Sequence, residues 1–147
     1  MKIVVQRVTR ARVVSEPGKE EKIGKGMLLL VGVAVGDTLE DAGRMAAKIS
    51  KLRIFEDEAG KMNLDILRAG GEILSVPQFT LLGSLEDGNR PAFDGAEEPA
   101  RAMALWEYFN EVLRGRGLTV KTGSFGKKMC VGLENDGPVT FVLDTAI

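Results

Sequence analysis

The stretch Pro77-Gln78-Phe79-Thr80-Leu81 puts a threonine hydroxyl at the edge of an apolar strand pattern, where a reacting group can be held rigidly. Asn135-Asp136-Gly137-Pro138-Val139-Thr140 does the same with a backbone turn. Neither comes with a base. The chain contains no histidine, the commonest general base near neutral pH and the commonest metal ligand. A Ser-His-Asp triad and a His-based zinc site are thereby excluded. Thr80 without a base is a poor nucleophile, and a β-branched strand residue is the plainer reading of it. The carboxylates Asp57, Glu58, Glu134 and Asp136 sit in turn-like sequence, which suits a turn role better than acid–base work. Cys130 is the only cysteine, so there is no intramolecular disulfide and no Cys-based metal site. It reads as a structural thiol in a strand, since nothing here would activate it. No metal and no cofactor are expected.

The elements that must position these groups follow from periodicity. Residues 3–14 alternate as a strand, Glu16-Pro17-Gly18 reads as a turn, and Lys22 and Ile23 belong to a short return. Residues 27–35 form an apolar, β-rich run, which predicts a strand buried on both faces and central in a sheet. Asp37 with Glu40 three residues on has the pattern of a capping box. Leu39, Ala42, Met45, Ala46, Ile49 and Leu52 follow at helical spacing and predict a helix over about 38–51. Residues 52–55 read as a short strand, Asp57-Glu58-Ala59-Gly60 as a turn, and 73–81 as a strand interrupted by Pro77. Proline cannot donate to a ladder, so Pro77 marks an edge, a bulge or the strand's working end. A second helix starts near Pro99 and runs to Arg114, with Ala102, Leu105, Trp106, Phe109 and Leu113 inward, and stops at Gly115 and Gly117. Residues 118–122, 129–133 and 139–143 are the closing strands. Two main helices among about seven strands make a single α/β domain with a curved mixed sheet.

At 147 residues one domain can bury about 68–70% of the surface its unfolded chain exposes. Apolar residues at 44% and charged residues at 28% give the balance of a soluble globular protein. The run 27–35 falls far short of the ~20 residues a membrane helix needs, and the first residues lack a signal-peptide pattern. No membrane partner and a cytoplasmic location are expected. A net charge of −1 argues against an extended nucleic-acid binder. The charge is uneven, however. Arg114, Arg116, Lys121, Lys127 and Lys128 fall in a stretch without acids, while 86–98 leans acidic. The basic run reads either as a solvated surface or as a small patch that touches the end of an RNA.

Taken with Gln6-Arg7-Val8 and Arg90-Pro91-Ala92-Phe93, the two opening stretches resemble the D-aminoacyl-tRNA deacylases in order and spacing over nearly the whole chain. The resemblance implies hydrolysis of the ester between tRNA and a wrongly attached D-amino acid, as chiral proofreading, with glycine mischarged on alanine tRNA also accepted. It implies a three-layer α/β/β fold, a homodimer, and the aminoacylated 3′ end of tRNA as partner. Catalysis then belongs to Gln78, Phe79 and Thr80, whose main-chain N–H groups would hold the developing oxyanion. The substrate's neighbouring ribose hydroxyl would help to activate water. Pro77, Phe125 and Met129 match pocket positions, although Phe125 and Met129 taken alone read as core residues. Gly137-Pro138 matches a cis dipeptide that reaches across the dimer and crowds the side-chain direction of an L-amino acid. Such a wall can reject by clash, where a pocket for a methyl discriminates by only ~1–3 kcal/mol. Arg7 matches an arginine that packs against that dipeptide. Its parity with Ile3 and Val5, opposite Arg10 and Arg12, points it inward toward carbonyls; a snorkelling surface arginine is the other reading.

One position departs from the family, which usually has serine where this chain has Pro77. A sibling branch with proline there removes L-alanine from mischarged tRNA. Gly137-Pro138-Val139-Thr140 keeps the form of the strict branch. A reading from another class, a non-catalytic module that binds RNA ends, stays open because no self-sufficient catalytic side chain is present.

Overall fold

The structure is a computed structural model and describes residues 1–16 and 18–146. Its organising element is the long strand β1 (Lys2–Glu16). The first half of β1 pairs with β3 (Gly26–Gly32) and the second half with β2 (Lys19–Ile23), while β8 (Cys130–Asp144) follows it along nearly its whole length. All three pairings are antiparallel. The turn expected at Glu16-Pro17-Gly18 involves Pro17, which lies outside the described residues. As the apolar run predicts, β3 is buried on both faces and sits centrally, between β1 and β6 (Glu72–Pro77), although it ends at Gly32, short of the expected residue 35, and Val35 is exposed. The latter runs parallel to β3, and β7 (Val120–Thr122) runs parallel to β6, so the sheet is mixed.

Two cores divide the molecule into layers. Helices α1 (Leu39–Lys51) and α3 (Pro99–Gly115) press Ala46, Ile49, Leu105 and Phe109 onto Ile3, Val5, Leu29 and Ile73. On the other face Val8, Ala11, Val13, Ile23, Leu28 and Leu74 pack together where the end of β1 and β2 curl over the sheet. The result is the three-layer α/β/β arrangement. One strand serves both cores because an extra residue at Thr9 shifts its register against β8. A one-residue slip moves side chains to the other face. Ile3, Val5 and Arg7 therefore face the helices, whereas Ala11 and Val13 face the second core. The expected opposition of Arg7 to Arg10 and Arg12 assumed unbroken alternation, and the slip removes it.

Further expectations need correction. The N-cap of α1 is Thr38, not Asp37, and Asp41 completes the box. Asp37 is instead engaged by the Ala34 N–H at 2.7 Å, the Thr145 hydroxyl and the Met1 amino group. The short strand at 52–55 is β4 (Phe55–Glu56), paired with β5 (Met62–Leu64). A one-turn helix, α2 (Ile66–Ala69), was not foreseen, although its signals are present in Asp65 as N-cap and Gly70 as left-handed C-cap. The strand expected over 73–81 ends at Pro77, and residues Phe79–Leu82 form a 3-10 turn. The two closing strands at 129–133 and 139–143 are one strand, β8, because β1 pairs with both across its register shifts. Between the Gln6↔Thr140 and Val8↔Asn135 pairs, only Arg7 stands opposite residues 136–139. The Gly137-Pro138 stretch is thus a wide bulge within a strand.

Candidate active site

A cavity of about 700 Å³ opens at the carboxyl ends of the parallel strands β3 and β6, the usual ligand position in such sheets. The Val31 carbonyl accepts the Gln78 N–H at 2.8 Å and the Val33 carbonyl accepts the Glu97 N–H at 3.0 Å. Both walls therefore hang from the end of β3. One wall carries Pro77, Gln78 and Phe79; the other begins at Ala96, Glu97 and Glu98, where α3 starts. Phe125 and Met129 close the space from the segment between β7 and β8. Of the Arg90-Pro91-Ala92-Phe93 motif only Phe93 lines the cavity, edge-on to Phe79 with ring centroids 5.1 Å apart. Phe79 is 57% exposed, an open aromatic at the mouth.

The main chain around Phe79 has a specific hydrogen-bonding state. In the 3-10 turn, Leu81 N–H bonds Gln78 O and Gly83 N–H bonds Thr80 O. The first N–H groups of such a turn have no partner within it. Among the described residues the Phe79 and Thr80 N–H groups meet no acceptor. The Gln78 N–H is spent on Val31, so of the three expected donors two are free. Gly32 permits this geometry. A Cβ there would lie 2.5 Å from Leu82 Cδ2 and 2.9 Å from Gln78 O, so only glycine lets the turn lie this close to β3. The Gln78 side-chain amide donates to the Thr80 hydroxyl. Thr80 itself is exposed beside the cavity and does not line it.

Behind the cavity, Trp106 Nε1 donates to Ser75 Oγ at 3.0 Å, and the Trp106 ring packs against Phe125 with centroids 5.9 Å apart. Helix α3 thereby fixes one cavity wall to the strand that carries Pro77. Arg7 belongs elsewhere. It is buried, 3% exposed, and donates from Nη1 to Ile54 O at 2.7 Å and from Nε to Asp136 O at 3.1 Å. The Asp136 carboxylate is 3.3 Å from Nε. Arg7 thus clamps the bulge that presents Gly137 and Pro138, whose connecting peptide is cis. Both residues of that dipeptide are exposed and neither lines the cavity.

The carboxylates divide more finely than the sequence suggests. Asp57 caps its turn, and the Lys61 N–H first and the Ala59 N–H next hold its carboxyl below the ordinary value. Glu134 is no turn residue. It lies on β8, lowered first by the Thr9 hydroxyl and then by Arg10. Asp41 is lowered first by the Thr38 N–H and then by Arg44. None of the three lines the cavity. Cys130 lies on β8 as expected, with its side chain exposed. Among the described residues no three His, Cys, Asp or Glu side chains come together as a metal cage. Lys127 and Lys128, from the basic run, line the cavity, and so do Glu97 and Glu98, which the motifs do not mark. The signal for the two glutamates is the helix start at Pro99.

Residues 4–144 match the family model described as D-Tyr-tRNA(Tyr) deacylase. The chain belongs to that family. It is similar to the D-aminoacyl-tRNA deacylase of Lactobacillus delbrueckii subsp. bulgaricus, 56% identical over 98% of this chain and 99% of the relative. The enzyme of the same name from Bacillus velezensis is 52% identical, with 99% of each chain covered. Among solved structures, the c-Myc DNA unwinding element binding protein superposes with a TM-score of 0.91 at 41% identity, covering 99% of both chains. A probable eukaryotic D-amino acid tRNA deacylase shares the fold at 18% identity, with a TM-score of 0.86 over 97% of each chain. Membership of the deacylase family makes the chain a hydrolase. No helix among the described residues is long and apolar enough to cross a membrane.

Proposed function

We propose that the protein hydrolyses the ester bond of D-aminoacyl-tRNA as a homodimer in the cytoplasm, releasing the D-amino acid and tRNA. The observation that carries this reading is the pair of unpartnered N–H groups on Phe79 and Thr80 beside a cavity of ligand size. Water adds to the ester carbonyl, and the two N–H groups donate to its oxygen as charge develops. The bond to the ribose oxygen then breaks, and the proton lost by water ends on that oxygen. The neighbouring ribose hydroxyl assists that transfer. The ester is already activated, so no side-chain nucleophile is required, and the Thr80 hydroxyl is not central.

Chirality is assigned to the Gly137-Pro138 dipeptide of the second protomer. Two observations support this: the dipeptide is exposed away from its own cavity, and β8 also exposes Leu133, Phe141 and Val142. A wall held by Arg7 rejects an L side chain by clash, while a D residue turns its side chain away and glycine has none. Glycine mischarged on alanine tRNA is therefore a substrate too. The test is deacylation of D-tyrosyl-, L-tyrosyl-, glycyl- and L-alanyl-tRNA, alongside ultracentrifugation. Turnover of the D and glycyl substrates by a dimer is expected. Turnover of none would favour the RNA-end-binding module. Efficient L-alanyl hydrolysis would transfer the protein to the relaxed branch, and an active monomer would remove the composite site.

A further inference from the structure

The mouth of the cavity is electrically lopsided. On one side Glu97 and Glu98 stand at the start of α3, and both are engaged: Glu97 lies 3.4 Å from Arg101 Nε, and Glu98 accepts the Ala100 and Arg101 N–H groups. On the other side Lys127 and Lys128 project from a short turn. Lys127 meets Glu16 at 3.4 Å in an exposed pair, and Lys128 has no carboxylate within 4.0 Å among the described residues. The turn is not a loose tip. Gly123 N–H bonds Ser75 O at 3.0 Å, and Ser124 Oγ and Ser15 Oγ are 2.8 Å apart. Gly126, with φ of 73°, makes the reversal after which Lys127 and Lys128 line the cavity as exposed residues.

From this asymmetry we infer that Lys127 and Lys128 take the phosphodiesters of the single-stranded RNA end, so that the strand leaves the cavity over this turn and away from Glu97 and Glu98. The inference rests on the deacylase reading and adds to it a direction for the RNA and the residues that hold it. A phosphate displaces Glu16 from Lys127 readily, because an exposed ion pair contributes little. Neither lysine is needed for the ester chemistry, whose donors are the Phe79 and Thr80 amides.

The test compares two substrates, D-tyrosyl-tRNA and D-tyrosyl-adenosine, which shares the ester but carries no phosphate. The enzymes are the wild type, Lys127→Gln/Lys128→Gln and Lys127→Glu/Lys128→Glu. Each cation on a single strand contributes about 0.7 to the salt slope, so the Gln double variant should flatten log kcat/KM against log salt by about 1.4. Between 50 and 200 mM salt the wild type should then lose about seven-fold more activity on tRNA than the variant does. The change should fall on KM, with kcat kept, and the Glu variant should lose more. The salt slope on D-tyrosyl-adenosine, which has no phosphate to lose, should be the same in the wild type and in both variants. An unchanged slope overturns the inference, as does an equal loss on both substrates, which would mean that the lysines only shape the cavity. A wild type inert on both substrates overturns the deacylase reading itself.

Discussion

Replacing Gly32 with alanine tests the link between packing and catalysis, because the two free amides depend on how closely the Phe79–Leu82 turn lies against β3. A Cβ at position 32 would lie 2.5 Å from Leu82 Cδ2, 2.9 Å from Gln78 O and 3.2 Å from Leu81 Cβ. The leucine tip can swing aside. The Gln78 carbonyl is main chain and must retreat by about half an ångström to reach ordinary contact distance. That carbonyl accepts the Leu81 N–H that closes the turn, so the turn moves with it. Overpacking of this kind costs about 1–3 kcal/mol, or about 3 to 10 °C in Tm for a chain of this size. Misplacing the Phe79 and Thr80 amides should lower kcat by roughly 10- to 100-fold. The control is Gly115→Ala at the end of α3, where a Cβ meets nothing within 4 Å. It makes the same chemical change and should leave kcat alone, with stability equal or slightly higher. The assays are thermal unfolding and single-turnover deacylation of D-tyrosyl-tRNA. A Gly32→Ala protein with lowered Tm and unchanged kcat would refute the assignment of these amides as oxyanion donors.

Thr80→Ala should retain most of the activity, and a loss of about 10³-fold or more with folding intact would make the hydroxyl essential. In Trp106→Phe, the Ser75 hydroxyl loses its 3.0 Å donor inside the core, which should cost about 1–3 kcal/mol by chemical denaturation. KM should rise through the freed Phe125. If chirality is enforced by the Gly137-Pro138 wall, Pro77→Ser should leave the ratio of D to L turnover nearly unchanged. A marked gain in D selectivity would instead place the discrimination at Pro77. The lowered carboxyls of Asp41, Asp57 and Glu134 bind protons more weakly in the folded than in the unfolded chain. Their stabilisation is present above roughly pH 4 and lost as the pH falls through the folded-state values. Urea midpoints at pH 7, 4 and 3 should fall in that order, and Asp57→Asn should flatten the fall.

Local chemistry was legible in the sequence wherever a single element carried it. The two main helices and the inward face of α3 follow from spacing, because burial of one apolar stripe dictates each, and the doubly buried central strand follows from its continuous apolar run. The missing histidine excluded triads and His-based zinc sites before any fold was known. Pro77 left an edge, a bulge or a strand's working end open, and the structure makes it the last residue of β6, since a residue without an N–H cannot extend a ladder. The rest needed the tertiary structure. Whether Asp136-Gly137-Pro138 was a turn between strands or a bulge within one depended on the edge of β1, fifteen residues long and more than a hundred positions away in the chain. Which amides stayed free depended on Val31 accepting the Gln78 N–H and on Gly32 yielding room for the turn. Arg7 could have been a surface cation, and its place inside was set by two carbonyls from Ile54 and Asp136. Each of these outcomes turns on a hydrogen bond or a contact between distant segments. Periodicity reports only what a residue's near neighbours share.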